Sequence, residues 1–137
     1  EVFHMMKQIS VFAENKKGAI NDVTKLLAQQ NINLRALLTN DSSEFAIVRM
    51  IVSDSERAFE VLKQKYLCHM DSVLAVRVPN TVGSLNKLLE DVKSSNTNID
   101  YLYTTFGWDD PNPIMMLHVE DEEELELCLK SKGYDLI

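Results

Sequence analysis

Asn15-Lys16-Lys17-Gly18-Ala19-Ile20-Asn21 and Asn80-Thr81-Val82-Gly83-Ser84-Leu85-Asn86 are two versions of one pattern, Asn-x-x-Gly-small-aliphatic-Asn. Asn15 and Asn80, Gly18 and Gly83, and Asn21 and Asn86 all stand 65 residues apart. Each stretch lies where strand-like alternation stops and an amphipathic helical pattern begins. A glycine turn at such a junction leaves the first backbone N–H groups of the helix available to an anion or a carboxylate.

The registry extends on both sides of the loops. Ile9, Val11 and Ala13 alternate as one face of a strand, and Leu74, Val76 and Val78 repeat them. Ile20, Val23, Leu26 and Leu27 form a helical stripe, and the second half has a helix carrying Leu85, Leu88, Leu89 and Val92. Asn31-Ile32-Asn33 and Asn96-Thr97-Asn98 end the two helices, since asparagine favours turns and caps. Strands follow at 34–39 and 99–104, with Leu37/Leu102 and Thr39/Thr104 identical.

The first half then reads as a turn at Asn40-Asp41-Ser42-Ser43, a strand over 44–52 and a helix carrying Ala58, Phe59 and Leu62. Ser53-Asp54-Ser55-Glu56 fits a capping box with Ser53 at the cap. A short strand over 66–70 closes this half. In the second half, Phe106-Gly107-Trp108-Asp109-Asp110-Pro111-Asn112-Pro113 is a longer turn. Beyond it the offset becomes 67, pairing Val52 with Val119 and Asp54 with Asp121. A strand over 114–119, a helix over 122–132 and a last strand over 134–137 complete the half.

The order β-α-β-β-α-β therefore occurs twice, and an internal duplication is the simplest reading. The expected fold class is α+β: two ferredoxin-like βαββαβ units over 1–70 and 71–137, with antiparallel sheets and helices on one face. Each half is small enough to be marginal alone, which favours the halves packing together. Ala46, Val48, Met50 and Val52 should face the helices. The opposite face, with Phe45, Ile47, Arg49, Ile51 and, in the second unit, Ile114, Met116 and His118, is too apolar for water.

Composition narrows the function. The net charge of −7 disfavours nucleic acid and anionic membrane, which need a positive footprint. Sheet-based RNA binding would want exposed aromatics; Tyr101 and Tyr103 are present, but Ala36 and Leu38 stand at the matching positions. No apolar run approaches the roughly 20 residues that span a bilayer. The first six residues lack the features of a signal peptide, so a cytoplasmic location is expected. Cys68 and Cys128 form no close pair, and His4, His69 and His118 show no ligand spacing, so neither a metal nor another cofactor is expected. The acids from Glu120 to Glu126 read as a solvated helix start. No phosphate loop or nucleophile motif occurs, and no catalytic residue is assigned.

With both loops placed, the chain resembles a tandem pair of ACT domains over nearly its whole length, from about Lys7 to Ile137. The family loop usually reads Asp-x-Pro-Gly-x-Leu after the first strand. Here the glycine and following aliphatic residue are kept in Gly18-Ala19-Ile20 and Gly83-Ser84-Leu85, while Asn replaces the acid and Lys17 or Val82 the proline. Asn31-Ile32-Asn33-Leu34 resembles the family's entry into the second strand. The resemblance implies a regulatory protein that binds a free amino acid and is not an enzyme. It also implies side-by-side units joining their second strands into an eight-stranded sheet, and a homodimer.

The ligand, in such a protein, lies between the strand–helix loop of one unit and the second strand of the other. The implied ligand-binding residues are Asn15, Lys17, Gly18, Ala19, Ile20, Asn33 and Leu34, with Asn80, Val82, Gly83, Ser84, Leu85, Asn98 and Ile99. Glycine permits close backbone approach, neighbouring N–H groups would take the carboxylate, and the asparagine oxygens could accept from the ammonium. Lys16 and Lys17 make the first loop cationic, whereas Thr81 and Val82 leave the second neutral, so unequal sites are expected. The alternative on this fold is a protein–protein interaction module without a small-molecule ligand.

Overall fold

The computed structural model describes residues 5–41 and 44–137; His4 and the Ser42-Ser43 part of the expected turn lie outside them. The chain divides into two compact units, Lys7–Asp71 and Ser72–Ile137, with Met5 and Met6 grouped with the latter.

In the first unit, β1 (Met6–Glu14), α1 (Ala19–Gln29), β2 (Leu34–Asp41), β3 (Phe45–Val52), α2 (Ser55–Leu62) and β4 (Leu67–Arg77) follow in order. The strand order is β2-β3-β1-β4. β1 runs antiparallel to β3, with Ile9 opposite Met50, Val11 opposite Val48 and Ala13 opposite Ala46. Period-two alternation thereby puts the apolar residues of both strands on one face. Ile9, Val11, Val48, Met50 and Val52 pack there with Val23 and Leu27 of α1 and Ala58 and Leu62 of α2. Residues four apart lie on one helix face, so Val23 and Leu27, and Ala58 and Leu62, all point at the sheet.

The second unit repeats the arrangement with the last part of β4, α3 (Ser84–Ser94), β5 (Ile99–Thr105), β6 (Ile114–Val119), α4 (Glu122–Ser131) and β7 (Asp135–Leu136). β6 pairs with both β4 and β5, and β7 pairs with β4. Leu74, Val76, Leu117 and Val119 meet Leu88 and Val92 of α3 and Leu125 and Leu129 of α4. The duplication extends to irregularities: β2 shifts register between Leu34 and Ala36, and β5 between Ile99 and Tyr101, again 65 residues on.

Four details differ from the sequence reading. The separate strands over 66–70 and 73–78 are one strand, β4, so seven strands rather than eight are present among the described residues. Asp71-Ser72 has turn-like composition, yet ladder pairing overrides it. Asn40 and Asp41 belong to β2, opposite Ile47 and Ala46. The α2 cap is Asp54, whose side chain accepts from the Arg57 N–H at 3.2 Å, while the Ser53 hydroxyl accepts from the Asn33 N–H. Glu126, expected in solvent, is 0% exposed and lies 3.4 Å from the Lys130 ammonium.

Part of the second sheet face is buried as well, although Phe45 on it is exposed. Gln8, Ser10, Ala36 and Ile51 are buried in the first unit, and Val73, Ala75, Tyr103, Ile114 and Met116 in the second. β2 and β5 are the terminal strands of their units' sheets. No described helix is long and apolar enough to cross a membrane.

Candidate functional site

Both Asn-x-x-Gly loops fold in the same way. The Asn15 backbone N–H donates to the Glu44 carbonyl at 3.1 Å, and that of Asn80 donates to the Asn112 side-chain oxygen at 3.0 Å. In each unit the loop is therefore tied to the β2–β3 or β5–β6 hairpin beside it. Ala19 N–H donates to the Lys16 carbonyl at 3.2 Å, and Ser84 N–H to the Thr81 carbonyl at 3.2 Å. Gly18 and Gly83 then take the left-handed conformation, with φ of 83° and 88°. A side chain rarely adopts that region, which is why glycine occupies the position in both loops.

The glycines serve as N-caps without a side chain. Neither α1 nor α3 has a side-chain cap, whereas Asp54 caps α2 and Asp121 caps α4, the latter accepting from the Glu124 N–H at 3.1 Å. The first intrahelical bonds run from Asp22 N–H to Gly18 and from Lys87 N–H to Gly83, both at 2.9 Å. That leaves the N–H groups of Ile20 and Asn21, and of Leu85 and Asn86, without an acceptor among the described residues. A Cβ built on either glycine would meet nothing within 4 Å. Each helix start thus opens onto free space with two donors aimed along the positive end of a helix dipole.

The surroundings of the two starts differ. Lys16 pairs with Glu14 at 3.3 Å, which offsets part of the positive charge of the first loop. The Thr81 and Ser84 hydroxyls are 2.7 Å apart, and Val82 is fully exposed at 107%. Asn15, Lys17 and Ile20 are exposed and Ala19 is buried; Asn80 is exposed, while Ser84 and Leu85 are half-buried.

The remaining expected residues stand elsewhere. Asn33, Leu34, Asn98 and Ile99 follow the C-terminal ends of α1 and α3. An 11-residue helix is roughly 16 Å long, so neither unit brings them to its own glycine loop. Asn33 exchanges backbone bonds with Ser53, at 3.0 Å to its hydroxyl and 2.9 Å from its N–H. Leu34 and Ile99 pack against the two cores, and Asn98 donates to Asp100 at 3.5 Å.

A charged cluster in the second unit was not visible in the sequence. The Tyr134 hydroxyl donates to Asp91, which also lies 3.3 Å from Lys87 and 3.7 Å from Lys132. Tyr134 is pushed up to about 12, first by burial and then by its bond to the carboxylate. Asp91 is held below the usual carboxylate range, chiefly by that same hydroxyl. Arg77 sits between Asp110 at 3.5 Å and Asp135 at 3.9 Å. His118 stacks on Tyr101 at 4.7 Å between ring centres and bonds Asp100 at 3.0 Å. No group of three or more His, Cys, Asp or Glu side chains among the described residues is arranged to hold a metal ion.

The family model described as an ACT domain pair matches residues 4–131. Among solved structures, protein BT0572 from Bacteroides thetaiotaomicron is 32% identical with a TM-score of 0.90, covering 98% of this chain and 92% of that one. The regulatory subunit of aspartate kinase from Thermus thermophilus is 15% identical with a TM-score of 0.66, over 93% of this chain and 92% of that one. The corresponding subunit from Thermus flavus is also 15% identical, with a TM-score of 0.64, over 95% and 93%. At 15% identity the likeness is one of fold. No curated protein matches the chain.

Proposed function

This chain belongs to the family of paired ACT domains, and from that premise we propose that it is a non-catalytic regulatory sensor that binds a free amino acid. The observation that carries the reading is the contrast between helix starts. Among the described residues, two of the four helices are capped by aspartate, and the two that follow the repeated loops are left open by a left-handed glycine. The ligand carboxylate accepts from the N–H groups of Ile20 and Asn21, or of Leu85 and Asn86. The side-chain oxygen of Asn15 or Asn80 takes the ammonium, from a loop fixed by its hairpin.

Lys17, Gly18 and Ala19, and Val82, Gly83 and Ser84, shape the two cradles. Asn33, Leu34, Asn98 and Ile99 act, in this proposal, on a ligand held by the loop of another ACT unit. A cytoplasmic location and a homodimer are part of the same reading, the homodimer supported by the terminal position of β2 and β5 in their sheets. The exposed Val82 and the lysines of the first loop support unequal sites.

The test is a thermal-shift screen against the twenty amino acids. A ligand at about 100 times its dissociation constant stabilises by about 2.7 kcal/mol, well within reach of the method. At least one amino acid should raise the melting temperature, and Gly18→Val or Gly83→Val should remove the shift. No shift with any amino acid at millimolar concentration would instead favour the interaction module.

A further inference from the structure

The second unit contains a cavity of about 350 Å³ between the end of β4, the first turns of α3 and the turn from α4 into β7. Its charged wall is unusual for this chain. Arg77, Lys87 and Lys132 line it with one carboxylate, Asp135, although the chain carries a net charge of −7. Val78, Pro79 and the Tyr134 ring form an apolar floor. Lys87 lies 5.4 Å from the centre of that ring.

We propose that this cavity binds a small organic anion, its anionic head on Lys87, Lys132 and Arg77 and its apolar body on Val78, Pro79 and Tyr134. One observation supports it beyond the cavity itself. Lys87 and Lys132 share the single carboxylate of Asp91, at 3.3 and 3.7 Å. Such partly exposed pairs are weak enough to be exchanged for a ligand anion.

The site belongs to the second unit alone. At the 65-residue offset, Phe12 and Asp22 stand where Arg77 and Lys87 do, so the first unit has lost two of the three cations. The cavity adjoins the second open helix start, since Ser84 lines it too, but its head-group ligands are side chains rather than backbone N–H groups. It does not depend on the amino-acid reading.

The experiment titrates the isotopically labelled full chain with phenyl phosphate, benzoate and phenol at millimolar concentration and follows its amide resonances. Phenyl phosphate, benzoate or both should move the signals of Lys87, Gly133 and Tyr134, and the pair distinguishes a phosphate from a carboxylate preference. Phenol should move them far less. Lys87→Gln and Lys132→Gln should each weaken binding about tenfold, the scale of one charge-assisted hydrogen bond, while Lys87→Arg retains it. Dispersed spectra of the variants exclude unfolding as the cause. The proposal is overturned if neither anion moves these signals or if phenol binds equally well. It is also overturned if the shifts fall on Ile20, Asn21, Leu85 and Asn86 and are indifferent to the lysine changes.

Discussion

Gly18 and Gly83 are held at φ near +85°, and open space surrounds both Cα atoms. Substitution there is therefore limited by the backbone rather than by neighbours. Gly18→Ala and Gly83→Ala should each cost about 1–2 kcal/mol in chemical denaturation, with asparagine costing less. The chain already uses asparagine this way: Asn31 and Asn96 have φ of 57° and 60° where α1 and α3 end. At Asn31 the N–H bonds Ala28 at 3.0 Å and the next N–H, from Ile32, bonds Leu27 at 2.9 Å, a Schellman closure. Asn31→Ala should lower stability by about 1 kcal/mol and Asn31→Gly should not. Tyr134 and Asp91 give a pH signature. The folded tyrosine titrates near 12 instead of 10, so its contribution is present below 10 and lost as pH rises to about 12. The depressed Asp91 works in the opposite direction: its contribution is present above its ordinary 3.8 and lost as pH falls through the lower folded value. Unfolding free energies measured against pH should fall less at both extremes in Tyr134→Phe than in the unsubstituted chain.

The helices divide by how they begin. Asp54→Ala and Asp121→Ala should each cost about 1 kcal/mol, because the Arg57 and Glu124 N–H groups lose their acceptors. No equivalent loss is available at α1 or α3. Periodicity made all four described helices legible, since the apolar stripes are set by the same burial that holds them on the sheets. Cap identity was harder to read: Ser53, Asp54 and Ser55 all have capping side chains, and only the approach of Asn33 shows that Ser53 is occupied elsewhere. Glu126 was illegible for a related reason. In the run from Glu122 it looks like its neighbours, but helical spacing turns it inward beside Leu125 and Leu129. Lys130→Met should destabilise by about 1–3 kcal/mol by weakening the partnership of a buried carboxylate. Adding Glu126→Leu should recover most of that loss, which a double-mutant cycle would show.

Across the chain, duplication was the most readable property, because a repeat preserves residues at both turns and core positions. Its offset located the loops, the helix ends and even the paired register shifts in β2 and β5. The continuity of β4 is not legible in the sequence, since Asp71-Ser72 carries turn chemistry that strand pairing outweighs. The Tyr134–Asp91 contact spans 43 residues and follows no motif, so only the folded chain brings it into view. The central functional claim rests on four backbone N–H groups, and they can be watched directly. Amide spectra of the full chain should be recorded during titration with the amino acid that gives the largest thermal shift. The expected result is selective movement of Ile20 and Asn21, or of Leu85 and Asn86, that disappears in the matching Gly18→Val or Gly83→Val variant. Binding that leaves all four amides unmoved would contradict it.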